Sequence, residues 1–334
     1  MKRSSFVFLI ILLFTVKAAA QQVPPVTADQ LKSWCYYLAG DDMKGRRNGT
    51  PEMKLAAEYI AASFRESGLV PAVGDSTYFQ EYKIGRKNKA DIMERNVLGI
   101  LEGSDPVLKE EWMVISAHFD HIGIGKPVNG DSIYNGADDN ATGTVTVMAL
   151  AKLLAQEQNR PKRSILFAAF SGEEMGLKGS HAFIENPPIP KDKIRLNLNF
   201  EMTGEFKTLG DKLFIITGYK FTDFDDIVDE YNKTAEWKKA VKMKSPDWVF
   251  FGSDNASFAI KGDWQNMELN IPAFTLVTTD DLNIIHVVTD EPQFMDYENM
   301  ASFVNYAAGL IRFLSGDPLK IHWNYSAFAE FLGK

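Results

Sequence analysis

The sequence predicts an α/β fold: a single domain in which helices cover both faces of a central, mostly parallel mixed sheet. Short apolar runs typical of strands alternate with longer segments whose apolar residues recur at helical spacing. The run at 112–117 is almost continuously apolar, as expected of a central strand that is buried on both faces. At 334 residues, 45% of them hydrophobic, the chain is long enough for one large core, or two at most.

The helices are predicted from this spacing together with signals at their ends. Thr27 is a suitable cap for the first helix, which breaks at Gly40. Pro51 fits the first turn of the second helix, which stops at Gly68. The predicted helices are 27–38, 52–67, 141–155, 221–231 and 296–314.

The strands are predicted from short apolar or alternating runs bounded by turn-forming residues. The segment 244–263 is rich in Trp and Phe but has no clear period, which predicts an irregular, functional loop. No Pro- or Gly-rich linker and no internal repeat divides the chain. The predicted strands are 78–84, 95–101, 112–117, 164–170, 194–200, 213–218 and 273–277.

The first twenty residues have the pattern of a secretory signal peptide. Lys2 and Arg3 precede an apolar run at 6–16, and small residues end the segment at Ala20. The apolar run is shorter than the roughly 20 residues that a membrane-spanning helix needs. We therefore expect a signal peptide at 1–20, cleavage after Ala20, a domain at 21–334, and a secreted or periplasmic protein with no membrane association after cleavage.

Charge and cysteine content narrow the classes of partner. The formal net charge is -8, and it becomes -11 without residues 1–20, which contain three basic residues and no acidic ones. An acidic surface argues against nucleic acid and anionic membranes as partners. The single cysteine, Cys35, lies in a helical apolar pattern and is predicted to be a core residue.

Acidic and imidazole side chains follow several of the predicted strands. Because the carboxyl ends of parallel strands meet at one edge of a sheet, these groups should converge there. So many carboxylates in one place require cations to neutralise them. Mixed imidazole and carboxylate ligands suit zinc, and a bridging carboxylate suits two ions about 3.5 to 4 Å apart. The candidate residues are His118, Asp120, Asp138, Asp139, Glu173, Glu174, Glu201 and His286.

The motifs that contain these residues resemble those of a known family. In order and approximate spacing they are similar to the five motifs of the co-catalytic zinc exopeptidases of the bacterial leucyl aminopeptidase type, which also include glutamate carboxypeptidase-like and glutaminyl cyclase-like members. The resemblance extends from about residue 31 to 314. Its motifs are H-F-D, G-A-D-D-N-A-T-G, S-G-E-E-M-G-L-K-G-S, N-F-E-M and I-H-V-V-T-D, with G-R-R-N-G-T-P-E and E-R-N-V-L-G-I-L-E-G upstream.

The resemblance implies a zinc peptidase domain with two Zn²⁺ ions and a set of ligands. His118 and Glu174 would bind one ion, and Asp138 would bridge both. Glu201 and His286 would bind the second ion. The family pattern also implies a cis peptide bond between Asp138 and Asp139.

Two further residues would have catalytic roles in this family. Asp120 would accept a hydrogen bond from the far nitrogen of His118 and fix its tautomer. Glu173 would be the general base and then the general acid, taking a proton from a water that bridges the metal ions and passing it to the leaving amine. The implied activity is hydrolysis of the N-terminal peptide bond of peptides with a free, apolar N-terminal residue.

Two positions depart from the family pattern. Glu201 stands where Asp is more common. This leaves open whether the enzyme removes residues from the N-terminus, as an aminopeptidase, or from the C-terminus, as a carboxypeptidase. Asn255 follows Ser253 and Asp254 where the family often has S-D-H, and Ser253 remains a candidate hydrogen-bond donor to the site. His121 fits either the site or ordinary packing.

The role of one aromatic group and the class of function also stay open. Trp248, Phe250 and Phe251 fit a specificity pocket or the core equally well. The alternatives to a di-zinc aminopeptidase are a glutaminyl-peptide cyclotransferase with a single zinc, a carboxypeptidase of the same fold and a non-catalytic interaction domain.

Overall fold

The computed structural model of the chain describes residues 26–74, 76–156, 158, 160–240, 246–262 and 266–333, with the backbone alone at 246–248. The predicted signal peptide and its cleavage position lie outside the described residues. So does the side chain of Trp248.

A mixed sheet forms the centre of the fold. Within the described residues it has nine strands, in the order β1-β3-β7-β4-β8-β13-β9-β10 with β2 paired to β3. Two separate pairs, β5 with β6 and β11 with β12, lie outside this sheet. The strands are β1 (Val70–Pro71), β2 (Phe79–Ile84), β3 (Ile92–Leu101), β4 (Trp112–His118), β5 (Gly123–Val128), β6 (Asp131–Tyr134), β7 (Ser164–Phe170), β8 (Ile194–Phe200), β9 (Leu213–Ile216), β10 (Lys238–Lys239), β11 (Ile260–Lys261), β12 (Glu268–Leu269) and β13 (Ala273–Val277).

The four central strands are parallel. β4 pairs in parallel with β7 on one side and with β8 on the other, and β8 pairs in parallel with β13. β3 and β9 join this group antiparallel at its two sides. Every residue of β7 is buried, which explains its continuous apolar sequence. The prediction of a central mixed sheet is confirmed, and its parallel pairing is strongest among the four central strands.

Helices flank the sheet in two layers. α1, α2, α3 and α8 pack on one another, and α3 lies against β4, β7 and β8. α4 and α6 pack on α7, which lies against β8 and β13. The helices are α1 (Ala28–Ala39), α2 (Pro51–Glu66), α3 (Gly143–Leu154), α4 (Lys178–Glu185), α5 (Phe224–Asn232), α6 (Pro246–Gly252), α7 (Asn255–Ala259), α8 (Tyr297–Leu314) and α9 (Tyr325–Phe331).

Several sequence predictions can be compared directly with this architecture. The strands predicted at 164–170, 194–200 and 273–277 are confirmed at both ends. Thr27 accepts a hydrogen bond from the backbone N–H of Gln30 and caps α1 as predicted. Cys35 is fully buried in the core, also as predicted.

The prediction that 244–263 is an irregular loop is wrong for most of the described part. That part contains α6 and α7, which are too short to show a helical period in the sequence. Phe250 is fully buried and packs on Phe221 at a ring distance of 5.6 Å, so it belongs to the core. In the described part of the chain, no helix combines the length and apolar character needed to span a membrane.

Candidate metal centre

The candidate site lies at the carboxyl ends of the parallel strands. His118 is the last residue of β4, and Glu201 directly follows β8. Glu173 and Glu174 lie in the loop after β7, and His286 lies in the longer loop after β13. The topology therefore brings these residues to one edge of the sheet, as the sequence predicts.

Two groups of side chains at this edge have the composition of metal sites. In each group the candidate ligand atoms lie within 4.8 Å of one another. One group consists of His118, Asp139 and Glu201. The other adds His121, Glu174 and His286 to the same Asp139. Asp139 is thus common to both groups.

The carboxylate of Asp139 faces imidazoles from both groups. Its Oδ1 lies 3.4 Å from His118 Nε2. Its Oδ2 lies 3.5 Å from His286 Nε2 and 3.8 Å from His121 Nδ1. A carboxylate whose two oxygens face different sets of ligands has the arrangement required to bridge two ions.

Asp138, which the sequence predicted to bridge the two ions, has different surroundings from Asp139. Asp138 Oδ1 accepts hydrogen bonds from Gly204 N at 2.8 Å and Thr142 Oγ1 at 3.0 Å, so this carboxylate faces the loop after β8. Asp138 belongs to neither group of candidate ligands. The non-prolyl cis peptide bond joins Asp139 to Asn140, one residue later than predicted.

The candidate ligands also group differently from the predicted division between the two ions. His118 is grouped with Glu201 rather than with Glu174. His286 is grouped with Glu174, since its Nε2 lies 2.8 Å from Glu174 Oε2. Both neighbours of β4 lead into the site, but Glu201 directly follows β8, whereas Glu174 lies further along the loop after β7.

Asp120 contacts the site in a different way from the one predicted. The Nδ1 atom of His118 lies 3.2 Å from the backbone carbonyl of Asp120, whereas the carboxylate is 3.8 Å away. That carboxylate accepts hydrogen bonds from the backbone N–H groups of Glu173 at 3.1 Å and Glu174 at 3.3 Å. Asp120 therefore fixes the loop that presents both glutamates.

The electrostatics of the site are those of crowded, buried carboxylates. Burial raises the pKa of Glu201 to about 7, with His118 opposing the shift and Asp139 adding to it. Burial likewise raises the pKa of Glu173 well above its usual value, again opposed by His118. For Glu174, contacts with His121 and His286 outweigh burial and lower its pKa.

The residues at the site fit zinc. His118 Nε2 and both ring nitrogens of His121 are buried and have no hydrogen-bond partner in the described part of the chain. His121 Nδ1 lies 2.9 Å from Glu174 Oε1, but the two atoms do not have the orientation of a hydrogen bond. Two side chains that bind the same metal ion have this arrangement. Unsatisfied imidazole nitrogens beside carboxylates are the donor set of zinc in proteins.

Ser253 contacts a candidate ligand, as the sequence suggested. Its hydroxyl donates a hydrogen bond to Glu201 Oε2 and accepts one from Asn199 Nδ2 at 2.8 Å. Ser253 thus holds the Glu201 carboxylate in place.

Three contributors to the site were not identified from the sequence. Asp290 accepts hydrogen bonds from the backbone N–H groups of Asp138 at 2.7 Å and Asp139 at 3.0 Å. With its amide oriented to satisfy both neighbours, Asn48 donates to Asp120 Oδ2 at 2.8 Å. The third contributor, Arg46, is fully buried. Arg46 and Asn48 lie in the G-R-R-N-G-T-P segment, which was the available signal for them. Its turn-forming residues indicated only a turn, so the two residues were not assigned to the site.

Comparison with known proteins decides the family. The sequence profile of Peptidase family M28 matches residues 96–311, about two thirds of the chain. The chain belongs to peptidase family M28. The matched segment includes every candidate ligand, from His118 to His286, and the match confirms the resemblance found in the sequence motifs.

The relatives found by sequence comparison include leucine aminopeptidases. The probable leucine aminopeptidase 1 of Trichophyton verrucosum is 26% identical over 251 residues, which cover 72% of this chain and 63% of that protein. Leucine aminopeptidase 1 of Trichophyton rubrum is 27% identical over 227 residues, or 65% of this chain and 57% of that protein. The chain therefore spans less than two thirds of the length of these relatives.

Solved structures share the fold of this M28 chain. The zinc aminopeptidase BSAP from Bacillus subtilis superposes with a TM-score of 0.64 at 14% identity, over 92% of this chain and 96% of its own. A glutaminyl cyclase from Bacteroides thetaiotaomicron superposes with a TM-score of 0.62 at 16% identity, over 87% of this chain and 99% of its own. Both a hydrolase and a cyclase thus use this architecture.

Proposed function

We propose that the chain is a di-zinc metallo-exopeptidase, an aminopeptidase that hydrolyses the N-terminal peptide bond of peptides with a free amine. The observation that carries the proposal is the position of Asp139, whose carboxylate belongs to two separate groups of candidate ligands. A single ion in either group would leave a buried imidazole of the other group, His118 or His121, without a partner among the described residues.

The described side chains supply a complete set of protein ligands for both ions. His118, Asp139 and Glu201 would hold one ion. Asp139, Glu174 and His286 would hold the other, with His121 beside them. Bound zinc supplies Lewis-acid chemistry, lowering the pKa of water and polarising the peptide carbonyl.

Glu173 is the residue best placed to move protons. It lies next to the ligand Glu174 in sequence, yet it belongs to neither ligand group, so its carboxylate remains available. Its backbone N–H is held by Asp120. Burial raises its pKa, which brings the carboxyl closer to the range in which a general base can also return the proton as an acid. We assign it transfer of a proton from the attacking water to the leaving amine.

The names of the two Trichophyton relatives, both leucine aminopeptidases, support the proposal that residues are removed from the N-terminus of the peptide. Glutaminyl cyclisation is the alternative favoured by a specific observation, since a cyclase shares the fold. Zinc content distinguishes the two functions, because cyclisation requires one ion and the proposed hydrolase requires two.

The test is a turnover assay on matched peptides that have a free amine, a blocked amine, or an N-terminal glutamine, with and without a chelator. We expect chelator-sensitive release of the first residue from free-amine peptides and two zinc ions per chain. Glu173→Gln should abolish turnover and retain both ions, whereas Glu174→Gln should lose metal. Cleavage confined to blocked-amine peptides, or cyclisation with one zinc, would overturn the proposal.

We further propose that the protein is exported, as a secreted or periplasmic enzyme. The support is the pattern of residues 1–20, with its basic start, apolar centre and small residues before Gln21. N-terminal sequencing of the protein purified from the cell envelope or medium should give a chain that starts at Gln21. A chain that starts at Met1 in the cytosol would contradict export.

A further inference from the structure

A pocket of about 430 Å³ adjoins the candidate metal centre. His121 and Glu174 are part of its wall, so the pocket opens onto the group of ligands that includes His286. Three basic side chains, Arg47, Arg86 and Lys89, also line it. Its volume lies within the range of about 300 to 1,000 Å³ found for small-ligand sites.

The basic side chains are an unusual feature of this acidic protein. The chain has a formal net charge of -8, yet the lining of this pocket carries three positive charges and only one carboxylate. That carboxylate is Glu174, a proposed metal ligand. When zinc is bound, the charge of Glu174 is neutralised and the pocket is strongly cationic.

The fold holds two of these basic residues in defined positions. The backbone of Arg47 follows the fully buried Arg46, and its side-chain stem packs closely over Gly123, where an added Cβ would lie 2.6 Å from Arg47 Cβ. Arg86 Nε donates to the carbonyl oxygen of Ala90 at 2.7 Å, which fixes that guanidinium within the loop between β2 and β3.

Apolar side chains complete the pocket. Ile92, Ile122, Ile124 and Met175 line it together with the basic groups. A lining of this kind suits a ligand that has a short aliphatic part and an anionic end. Arginine side chains are suited to the planar, bidentate geometry of a carboxylate.

We propose that this pocket binds a carboxylate of the peptide substrate, so that the enzyme prefers anionic peptides. The inference rests on the proposed function, since it assigns a substrate class to the same site. Two sources could supply the carboxylate: the side chain of an acidic residue, or the free C-terminus of a short peptide. Without such a pocket, the negative charge of the protein would disfavour either substrate.

Turnover is measured on a matched series of peptides. Leucyl-glycinamide is neutral at its C-terminal end, leucyl-glycine carries a free carboxylate, and aspartyl- and glutamyl-glycinamide carry an acidic side chain. We expect kcat/KM to be at least about tenfold higher for one of the anionic classes than for the matched neutral peptides. The class that shows the preference identifies the source of the carboxylate. Equal kcat/KM across the series would overturn the proposal.

Variants locate the preference in the pocket. Arg47→Gln and the double variant with Arg86→Gln should lower the ratio of kcat/KM for anionic over neutral peptides about tenfold, mainly through KM. Lys87→Gln removes a charge from the same loop but outside the lining of the pocket, so it should keep the wild-type ratio. An unchanged ratio in both pocket variants, or an equal fall in Lys87→Gln, would contradict the assignment.

A binding experiment separates this inference from the proposed function. Calorimetry with the zinc-loaded Glu173→Gln variant measures peptide affinity without any turnover. The affinities of leucyl-glycine and of aspartyl-glycinamide are each compared with that of leucyl-glycinamide. Tighter binding of an anionic peptide that Arg47→Gln abolishes supports the pocket even if the wild-type protein hydrolyses nothing. Turnover of all the peptides without any difference in affinity would refute the pocket and leave the proposed function intact.

Discussion

Two adjacent aspartates have different surroundings at the sheet edge. Asp139 faces imidazoles on both sides, while the Oδ1 of Asp138 accepts hydrogen bonds from Gly204 and Thr142. We therefore expect Asp139→Asn to lose both zinc ions, because the two groups of ligands share only this residue among those described. Zinc content measured by elemental analysis after dialysis checks this prediction.

Asp138→Asn is the matched control for that change. It makes the same substitution one residue earlier, and it should retain both zinc ions while losing stability, because an amide replaces the carboxyl group that accepts hydrogen bonds from the backbone N–H of Gly204 and the hydroxyl of Thr142. Loss of zinc in Asp138→Asn with retention in Asp139→Asn would reverse our assignment of the bridging residue.

His121 adds an imidazole to one side of the proposed centre. Its ring is buried, and its Nδ1 lies 2.9 Å from Glu174 Oε1. We expect His121→Gln to weaken zinc binding at one of the two positions by about 10- to 100-fold, the range found when groups around a metal site are replaced. Competition with a chromogenic chelator measures the two affinities separately.

His181→Gln is the matched control for His121→Gln, because His181 lies on α4 and in neither ligand group. Its zinc affinities should equal those of the wild type. If His121→Gln also leaves both affinities unchanged, His121 only packs against the site.

The sequence identified the candidate site but not the contacts within it. His118, Glu174, Glu201 and His286 could be placed because each lies at the end of a strand or in the loop after one, and strand order brings them together. The choice between Asp138 and Asp139 depends on backbone rotation over one residue, which residue identity does not encode. Pairing of His118 with Glu201 depends on β4 and β8 being neighbours, which the order of strands in the chain does not reveal.

Arg46 ties together the loops that surround the metal centre. Its guanidinium donates to the carbonyl oxygens of Phe119 at 2.8 Å, Leu38 at 2.6 Å, Asn135 at 2.8 Å and Gly136 at 2.8 Å. These carbonyls belong to the end of α1, the loop after β4 and the loop before Ala137. One buried cation therefore stabilises three separate segments.

Replacing Arg46 by Met should destabilise the protein by at least about 3 kcal/mol, because four carbonyl oxygens would each lose the hydrogen bond that the buried Arg46 donates. Urea unfolding of the zinc-loaded protein measures the change. The neighbouring Arg47→Met alters an exposed residue and should stay within about 0.5 kcal/mol of the wild type. Equal effects of the two substitutions would mean that the carbonyls find other donors.

The elements that the sequence predicted well are those in which burial dictates composition. β7 and β13 are mainly apolar runs, β8 alternates apolar with polar residues, and the bounds of all three were correct. The β5–β6 hairpin was missed because all of β5 except its first residue is exposed, which removes the alternation that marks a strand. α4 was missed because its eight residues are too few to show a clear helical period in the sequence.

The whole molecule concentrates negative charge at one edge of its sheet. Glu173, Glu201, Asp254 and Asp290 all have raised pKa values, chiefly because they are buried. This crowding follows from the parallel topology, which directs the strand ends to a common place. Zinc bound at this edge would therefore stabilise the folded chain as well as supply the proposed chemistry.

The metal-free protein should lose stability as pH rises from about 5 to 7.5. Burial raises the pKa of Glu201 to about 7 and that of Asp290 to about 6, whereas unfolded carboxyls titrate near about 4. Between these values the folded chain holds protons that the unfolded chain has released, so the unfolding free energy falls with increasing pH. The raised pKa of His118 acts in the same direction, since its contribution is lost as pH rises. Glu174, with a lowered pKa, titrates below this range.

Thermal unfolding of the chelator-treated protein at pH 5 and pH 7.5 tests this expectation. We expect Tm to be at least about 4 °C lower at pH 7.5. Added zinc should remove or reverse the difference, because the ion binds deprotonated ligands and does so more tightly at higher pH. Glu201→Gln, which stays neutral throughout, should show a smaller fall than the wild type. A metal-free Tm that rises between pH 5 and 7.5 would mean that these carboxyls are not held in their protonated form by the fold.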